Sequence, residues 1–409
     1  MDVLIIHNSY QQPGGEDGVF NAECALLRAR GNRVIPYHVS NDLIKLRSRA
    51  SVAAGTIWSF GSYAAIRNLI RSEKPQIVHV HNTFPLVSPA VYYAAKREGV
   101  PVVQTLHNYR LLCPAATLYR DGAVCTQCLD RPVWPAVMHR CYRGSLGATA
   151  ALAAMLQTHR LLRTWTRAVN VYIALSEWSR KLFVHAGLPA EKTLVKPNFI
   201  APDPARTAPA RRPGRNALFV GRLTPEKGIR TLLRAWREIG NRVPLEIAGD
   251  GPLADEVSQA AREVPGVRWL GTVSKPQVYE RLAEAEMLIV PSEWYEVCPL
   301  TVLEAFAMGV PVIASGNANL EELIPNRKAG LHFAPGNPLA LRDQVLWLDA
   351  NAGERVRMGS QAREEFEQKY TAEVNYQSLM HAYRVAIEGR SPTPTRSDVR
   401  LPNLIGVTR

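Results

Sequence analysis

Two carboxylates, Glu296 and Glu304, stand eight residues apart in "SEWYEVCPLTVLEAFAMG" (292–309), within a chain whose net charge is +13. Pro299 suits the first turn of a helix and Gly309 the position just past its end, so the stretch predicts a helix over about 299–308. Glu296 then falls in a strand-to-helix loop, and Glu304 one to two turns into the helix. Both lie near the carboxyl edge of a parallel sheet, where open α/β sheets bind ligands. Free N–H groups at the helix start, around Leu300 and Thr301, can hold a phosphate, and carboxylates beside them can accept hydrogen bonds from sugar hydroxyls. The pair taken alone also fits a plainer reading, in which Glu304 answers the helix dipole and Glu296 is a solvated loop residue.

A second motif supplies cations. "FVGRLTPEKGI" (219–229) leaves a strand through Gly221 and delivers Arg222 and Lys227 ahead of a helix starting near Gly228. Two cations beside a strand end can clamp a diphosphate leaving group, Arg by its planar fork and Lys as a point charge. "EIAGDGPL" (246–253) gives a glycine turn at Gly249, which lets backbone approach a ligand. In the first half, "QQPGGEDGVFNAE" (11–23) sets Gly14 and Gly15 in a loop before a helix, and "TLHNYR" (105–110) ends a strand with His107. Each piece has an ordinary explanation as a turn or a structural histidine. Their order and spacing carry the argument.

The elements that must position these residues form two series. "VLIIH", "QIVHVH", "PVVQTLH" and "VYIALS" precede "NALFVGRL", "PLEIAGDG", "MLIVPS" and "VPVIAS", with helical stretches between them. That alternation is the signature of parallel α/β sheets. The proline- and arginine-rich "KPNFIAPDPARTAPARRPGR" (196–215) between the series reads as a linker. The expected organisation is a first Rossmann-like domain over 1–197 and a second over 198–371. An amphipathic helix over 372–389 packs back on the first domain, and a mobile tail follows over 390–409. At 409 residues, two domains are the natural division.

Composition narrows the class. With 46% hydrophobic and 21% charged residues the chain is globular, neither disordered nor fibrous. The start "MDVLIIHNSY" has an acid where a signal peptide needs positive charge, and no apolar run reaches membrane-spanning length. A cytoplasmic protein is expected. The basic residues are scattered without a nucleic-acid-binding motif, which argues against DNA or RNA. By contrast "LIKLRSRAS" (43–51) and "HRLLRTWTRAV" (159–169) interleave Lys or Arg with apolar residues, as a helix on an anionic membrane does, or simply as a solvated helix face does.

Taken together, "GRLTPEKG", "AGDGPL", the E-x7-E pair, "AMGVPVIAS" and "ALSEWSRKLFVHAGLPAEKTLVKPNFI" (174–200) resemble the retaining glycosyltransferases of family 4, in a bacterial-type subgroup with a four-cysteine insertion. The resemblance covers the chain to about residue 385. It implies the GT-B fold, two Rossmann-like domains with parallel sheets facing across a cleft. It implies that Arg222 and Lys227 hold the donor diphosphate, that Glu304 takes the ribose hydroxyls, and that Val273 lies near the base. Glu296 and the active-site histidine His107 then stand at the reacting centre, with Gly14 and Gly15 by the donor phosphates and acceptor. The implied reaction moves a sugar from a nucleoside-diphosphate sugar to a saccharide or lipid-linked acceptor by front-face displacement, in which the leaving phosphate helps deprotonate the acceptor. No catalytic metal is expected. Where many relatives have glycines after the first Glu, this chain has Val297, Cys298 and Pro299, so contacts to the donor sugar differ. The competing readings are a sugar-nucleotide epimerase or glycosyl phosphorylase of the same fold, and a non-catalytic, zinc-stabilised scaffold.

Four of the six cysteines, Cys113, Cys125, Cys128 and Cys141, fall in one segment after the His107 strand. One C-x2-C pair with flanking cysteines can make a tetrahedral zinc site, with His139 as an alternative ligand. Free thiols and redox-active or disulfide-bonded cysteines are the other readings.

Overall fold

The computed structural model describes residues 1–12, 14–129, 132–207, 211–212 and 214–389. The tail over 390–409 lies outside the described residues. Eight strands belong to the first half: β1 Asp2–Ser9, β2 Arg33–Ser40, β3 Ile77–Val80, β4 Val102–Thr105, β5 Tyr119–Arg120, β6 Ala123–Val124, β7 Val171–Ala174 and β8 Thr193–Val195. Six belong to the second: β9 Asn216–Val220, β10 Leu245–Ala248, β11 Val267–Gly271, β12 Ala285–Val290, β13 Val312–Ser315 and β14 Gly330–Phe333. They form two six-stranded parallel sheets, ordered β2-β1-β3-β4-β7-β8 and β11-β10-β9-β12-β13-β14, while β5 and β6 pair as a separate antiparallel hairpin.

Period-two alternation explains why both faces of each sheet are covered. In β1, Leu4 and Ile6 enter one core while Val3 and Ile5 enter another. In β9, Leu218 faces the first of these cores, and Ala217 and Phe219 face a third built on the Ile229–Ile239 helix. That helix buries Ile229, Leu232, Leu233, Trp236 and Ile239, the 3.6-residue stripe that requires a core beneath it. The Ala372–Glu388 helix returns to the first sheet and lays Leu379, Ala382, Tyr383 and Ala386 against Val3, Ile5, Val103 and Ile173.

The segment after β8 is not a free tether. Lys196, Asn198, Phe199 and Ile200 are buried, Asn198 Nδ2 donates to the Cys298 carbonyl (3.0 Å), and Ile200 bridges to Thr371. The linker expected over 196–215 therefore starts as packed structure: Lys196 is held by a buried carboxylate of the first half, and Asn198 by the second. Later in the segment, Asp203 receives both guanidinium nitrogens of Arg363 (2.9 and 2.7 Å).

Candidate functional site

The carboxyl ends of β9, β10 and β12 converge because glycines let their loops touch. Gly249 has φ +144°, and a Cβ there would lie 1.9 Å from the Gly221 carbonyl oxygen; one on Gly228 would lie 1.8 Å from the Pro291 carbonyl. What approaches Gly249 is thus the backbone of the neighbouring loop. Gly249→Ala is expected to cost at least about 2 kcal/mol in a denaturant titration, since it combines positive φ with a backbone clash.

This packing brings Lys227, at the end of a 3-10 turn (Pro225–Lys227), onto the loop after β12. Lys227 Nζ donates to Glu296 Oε1 (2.6 Å) and stands 5.3 Å from the centre of the Trp294 ring. Ser292 Oγ donates to the same carboxylate oxygen (2.6 Å). Burial works against a charge on Glu296, but Lys227 and these donors outweigh it and hold the carboxyl below its usual range. Arg222 is exposed nearby along the chain, with no side-chain partner among the described residues.

The expected helix runs over Leu300–Ala307, with Pro299 one position earlier than the first helical residue, at the N-cap (φ −68°, ψ 122°). Glu304 is fully buried; its Oε1 accepts from Lys275 Nζ, and its Oε2 has no hydrogen-bond partner. Burial raises its pKa, with Lys275 pulling the other way. An orphaned buried acceptor is costly, so this oxygen is suited to a hydroxyl donor from a ligand. Val273, partly buried, packs at the edge of the same core. Leu300 and Thr301 are half-exposed at the helix start, and a Cβ on Gly15 would lie 3.8 Å from Leu300 Cδ1, so the two halves meet here.

On the other side, Gly14 caps the Gly15–Ala29 helix, and Asp17 ties the loop down: its Oδ2 accepts from Gly14 N (2.7 Å) and its Oδ1 pairs with His7 Nε2 (2.7 Å). Glu16 accepts from Asn82 Nδ2 (2.8 Å) and Asn108 Nδ2 (3.0 Å), and burial raises its pKa. His107 is partly exposed, and its Nε2 is 2.9 Å from His81 Nδ1. His81 Nε2 in turn is 3.2 Å from Glu23 Oε2, an ion-pair distance; neither atom makes a hydrogen bond, and His79 Nδ1 lies 3.8 Å from the same oxygen.

The ionised Glu23 beside His81 Nε2 favours one tautomer along that chain. Burial holds His81 and His107 below the ordinary histidine range, and Glu23 is held well below its own by Lys196 and His81 in spite of burial. An ionised Glu23 only accepts, so His81 protonates Nε2 and accepts at Nδ1; His107 then donates from Nε2 and keeps an open lone pair on Nδ1. Glu23, His79 and His81 are also the one set of donor atoms, among the described residues, within 4.8 Å of one another. Lys196 Nζ already holds Glu23 Oε1, so the cation this cluster needs is supplied by the chain itself.

Side chains lock the halves together around the site. Asn319 Nδ2 donates both to Tyr109 Oη (2.7 Å), two residues beyond His107, and to the Glu296 carbonyl (2.5 Å). Glu322 accepts from the backbone N–H groups of Glu177 and Trp178 (2.7 Å each), capping a helix of the first half from the second. The four cysteines stand apart from this machinery and line one small cavity of their own. His139, exposed past the end of the Trp134–Met138 helix, does not line it, so it is no substitute for a thiolate.

Residues 25–204 match the family model described as Glycosyltransferase Family 4, and residues 214–351 match that described as Glycosyl transferases group 1. The fold is that of the GT-B glycosyltransferases. An uncharacterized glycosyltransferase of Methanocaldococcus jannaschii is 32% identical over 42% of this chain and 45% of its own length. A sulfoquinovosyl transferase of Arabidopsis thaliana is 25% identical over 72% of this chain and 54% of its own. The matches thus span about half the length of these relatives. In fold, the chain is similar to the Anabaena protein HepE crystallised with UDP-glucose, at 17% identity and a TM-score of 0.65, covering 93% of this chain and 99% of that one.

Within this GT-B frame, Lys227 and Glu296 are in direct contact, and Gly15 and Leu300 face one another. Glu23, His81, Lys196, Asn319 and Lys275 are the participants that motif reading missed. "HVHN" (79–82) at the end of the strand next to that of "TLHNYR" was the available signal for the histidine chain. Lys196 and Glu23 carried none, because their pairing joins residues 173 positions apart.

Proposed function

We propose that the protein transfers a sugar from a nucleoside-diphosphate sugar to a saccharide or lipid-linked acceptor, with retention of configuration, in the building of a cell-surface polysaccharide or glycolipid. The observation that carries this reading is the Glu304 carboxyl: buried, paired on one oxygen only, and set one turn inside a helix whose first turn holds no acid. A ribose diol fits the open oxygen, and the free N–H groups of the same helix fit a phosphate. Arg222 and Lys227 would neutralise the charge that develops on the leaving diphosphate. The facing Gly15–Ala29 helix carries Glu16 and Asp17 in its first turn, which disfavours phosphate there and favours a hydroxyl-bearing acceptor. His107 Nδ1 would accept from sugar or acceptor hydroxyls. UDP-glucose in the similar Anabaena structure is the first donor to try.

A screen of thermal unfolding against UDP, GDP, ADP and their sugar conjugates tests the donor site. One nucleoside diphosphate at a hundredfold its Kd should add about 2.7 kcal/mol to the native state, and a flat response to all of them contradicts the reading. Retention would be read from the anomeric configuration of the product.

A membrane-bound acceptor is part of the proposal. No helix among the described residues is long and apolar enough to cross a membrane. Leu46 and Leu161 are nevertheless 82% and 84% exposed, beside Lys45 and Arg47 and beside Arg163 along the chain, and the Arg49–Ile57 helix packs on the Leu146–Leu161 helix, with the Ile57 carbonyl 3.0 Å from His159 Nε2. Such a surface suits an anionic bilayer. The protein is expected to sediment with vesicles rich in acidic phospholipid, and the double substitution Leu46→Glu with Leu161→Glu to abolish this; equal sedimentation of both proteins would remove the membrane from the account.

A further inference from the structure

The excursion from Cys113 to Cys141 has almost no means of holding its own shape. It contains two strands of two residues each and one helix of five, Trp134–Met138. Its described buried side chains are few and small, among them Ala116, Leu118, Val133 and Ala136. A segment of this kind ordinarily needs a cross-link, because its apolar burial cannot offset the entropy of ordering it. The excursion nevertheless takes a defined path to the opposite half. Tyr119 Oη donates to Glu293 Oε2 (3.5 Å), and Glu293 is fixed in turn by Thr231 Oγ1 (2.6 Å) and by its own N–H on the Glu226 carbonyl (2.9 Å). The hairpin therefore touches the loop that carries Glu296, three residues on.

All four cysteines of the excursion line a single small cavity, with Arg120 on the same wall. Each reaches it from a different local element: Cys113 ends a turn closed on the Tyr109 carbonyl (2.8 Å), Cys125 leaves the hairpin on the Leu118 carbonyl (2.7 Å), Cys128 is in the next turn, and Cys141 closes on the Ala136 carbonyl (3.0 Å). A role as small apolar filler does not account for them, since Cys125 and Cys141 are only half-buried and a guanidinium shares the cavity. We propose that Cys113, Cys125, Cys128 and Cys141 bind one structural Zn2+ as a tetrathiolate, and that this ion pins the hairpin whose Tyr119 bridges the cleft.

Zn2+ enters from solution, the thiols lose their protons to solvent as four Zn–S bonds form, and nothing is oxidised or reduced. No three of these sulfurs lie within 4.8 Å of one another, so binding requires the side chains to move inward around the ion. The finished centre carries a net charge of about −2, and Arg120 beside Cys141 and Arg160 near Cys128 are placed to offset it. The inference does not depend on the sugar-transfer reading, because its test reads metal.

Protein purified without chelator is analysed for metals by plasma mass spectrometry, as wild type and as Cys125→Ser, Cys128→Ser and Cys24→Ala. About one zinc per chain is expected in the wild type, a loss of at least about tenfold in both serine variants, and full zinc in Cys24→Ala, whose cysteine lies in another core. Cobalt exchanged into the wild type should give the strong visible bands of a tetrahedral thiolate site. Should the serine variants fail to fold, the wild-type stoichiometry and cobalt spectrum decide. Folded wild type lacking zinc and insensitive to added zinc overturns the proposal, as does zinc retained in both serine variants or cysteines recovered as disulfides.

Discussion

Lys227→Ala is expected to reduce sugar transfer by about 100- to 1000-fold, the range seen when one group stabilising a developing charge is removed. The substitution does more than delete a cation from the diphosphate site. It leaves Glu296 buried with Ser292 Oγ as its remaining strong donor, whereas Lys227 is what offsets burial in the intact pair. Glu296 has a folded pKa below its unfolded value, so its contribution to stability is present above about pH 4.5 and lost as pH falls through the lower folded value. Without Lys227, burial acts unopposed and the carboxyl pKa rises. The acid limb of the pH–rate profile should therefore move to higher pH in the variant. Measured initial rates from pH 4 to 9 check both parts, and a variant with wild-type turnover and an unshifted limb contradicts the assigned contact.

Lys196→Met has the largest expected effect on stability. Glu23 is fully buried and receives Lys196 Nζ on one oxygen, while His81 faces the other. Removing one partner of a buried pair strands the other, at a cost of about 3–5 kcal/mol. Denaturant titration at pH 7 should show that loss. The sign with pH follows from Glu23, whose pKa Lys196 holds well below the ordinary 4.5. In the wild type its stabilisation is present above that value and disappears as pH falls through the lower folded pKa. In Lys196→Met the carboxyl protonates more readily, so the gap between the two proteins should narrow on acidification. The variant should also perturb His107, since a neutral Glu23 can donate to His81 Nε2 and reverse the tautomers along the chain. Equal stability at pH 7 would mean that the pair is not formed.

Central strands were the most legible part of the fold. β1, β3, β4, β7, β9, β10, β12 and β13 read as apolar runs because helices cover both faces of each sheet. Edge strands were not, for a physical reason. β2 sits at an edge, is half-exposed along its length and contains Pro36, while β8 spans three residues. At the site, motif spacing brought out the residues that follow strand ends: Arg222, Lys227, Glu296, Glu304 and His107. It did not bring out Lys275, Asn319, Lys196 or Glu23. Those act through contacts between distant segments, Lys275 on Glu304 from the start of another helix and Asn319 on Tyr109 from the other half. A lysine on a helix surface and a lysine buried against a carboxylate look alike in sequence. The linker was misjudged on the same ground, since proline and arginine content says nothing of the buried Lys196–Ile200 that precedes most of it.

The most direct test of the donor site is isothermal titration calorimetry of UDP, GDP and ADP against the wild type and Arg222→Ala. Arg222 is exposed and makes no side-chain hydrogen bond or ion pair with described residues, so its removal should leave the fold intact and report on ligand alone. One nucleoside diphosphate is expected to bind with one site per chain, and Arg222→Ala to weaken it by at least about tenfold, or 1.4 kcal/mol. Failure of all three to bind, or equal affinity in the two proteins, would contradict a diphosphate held at the ends of β9 and β12.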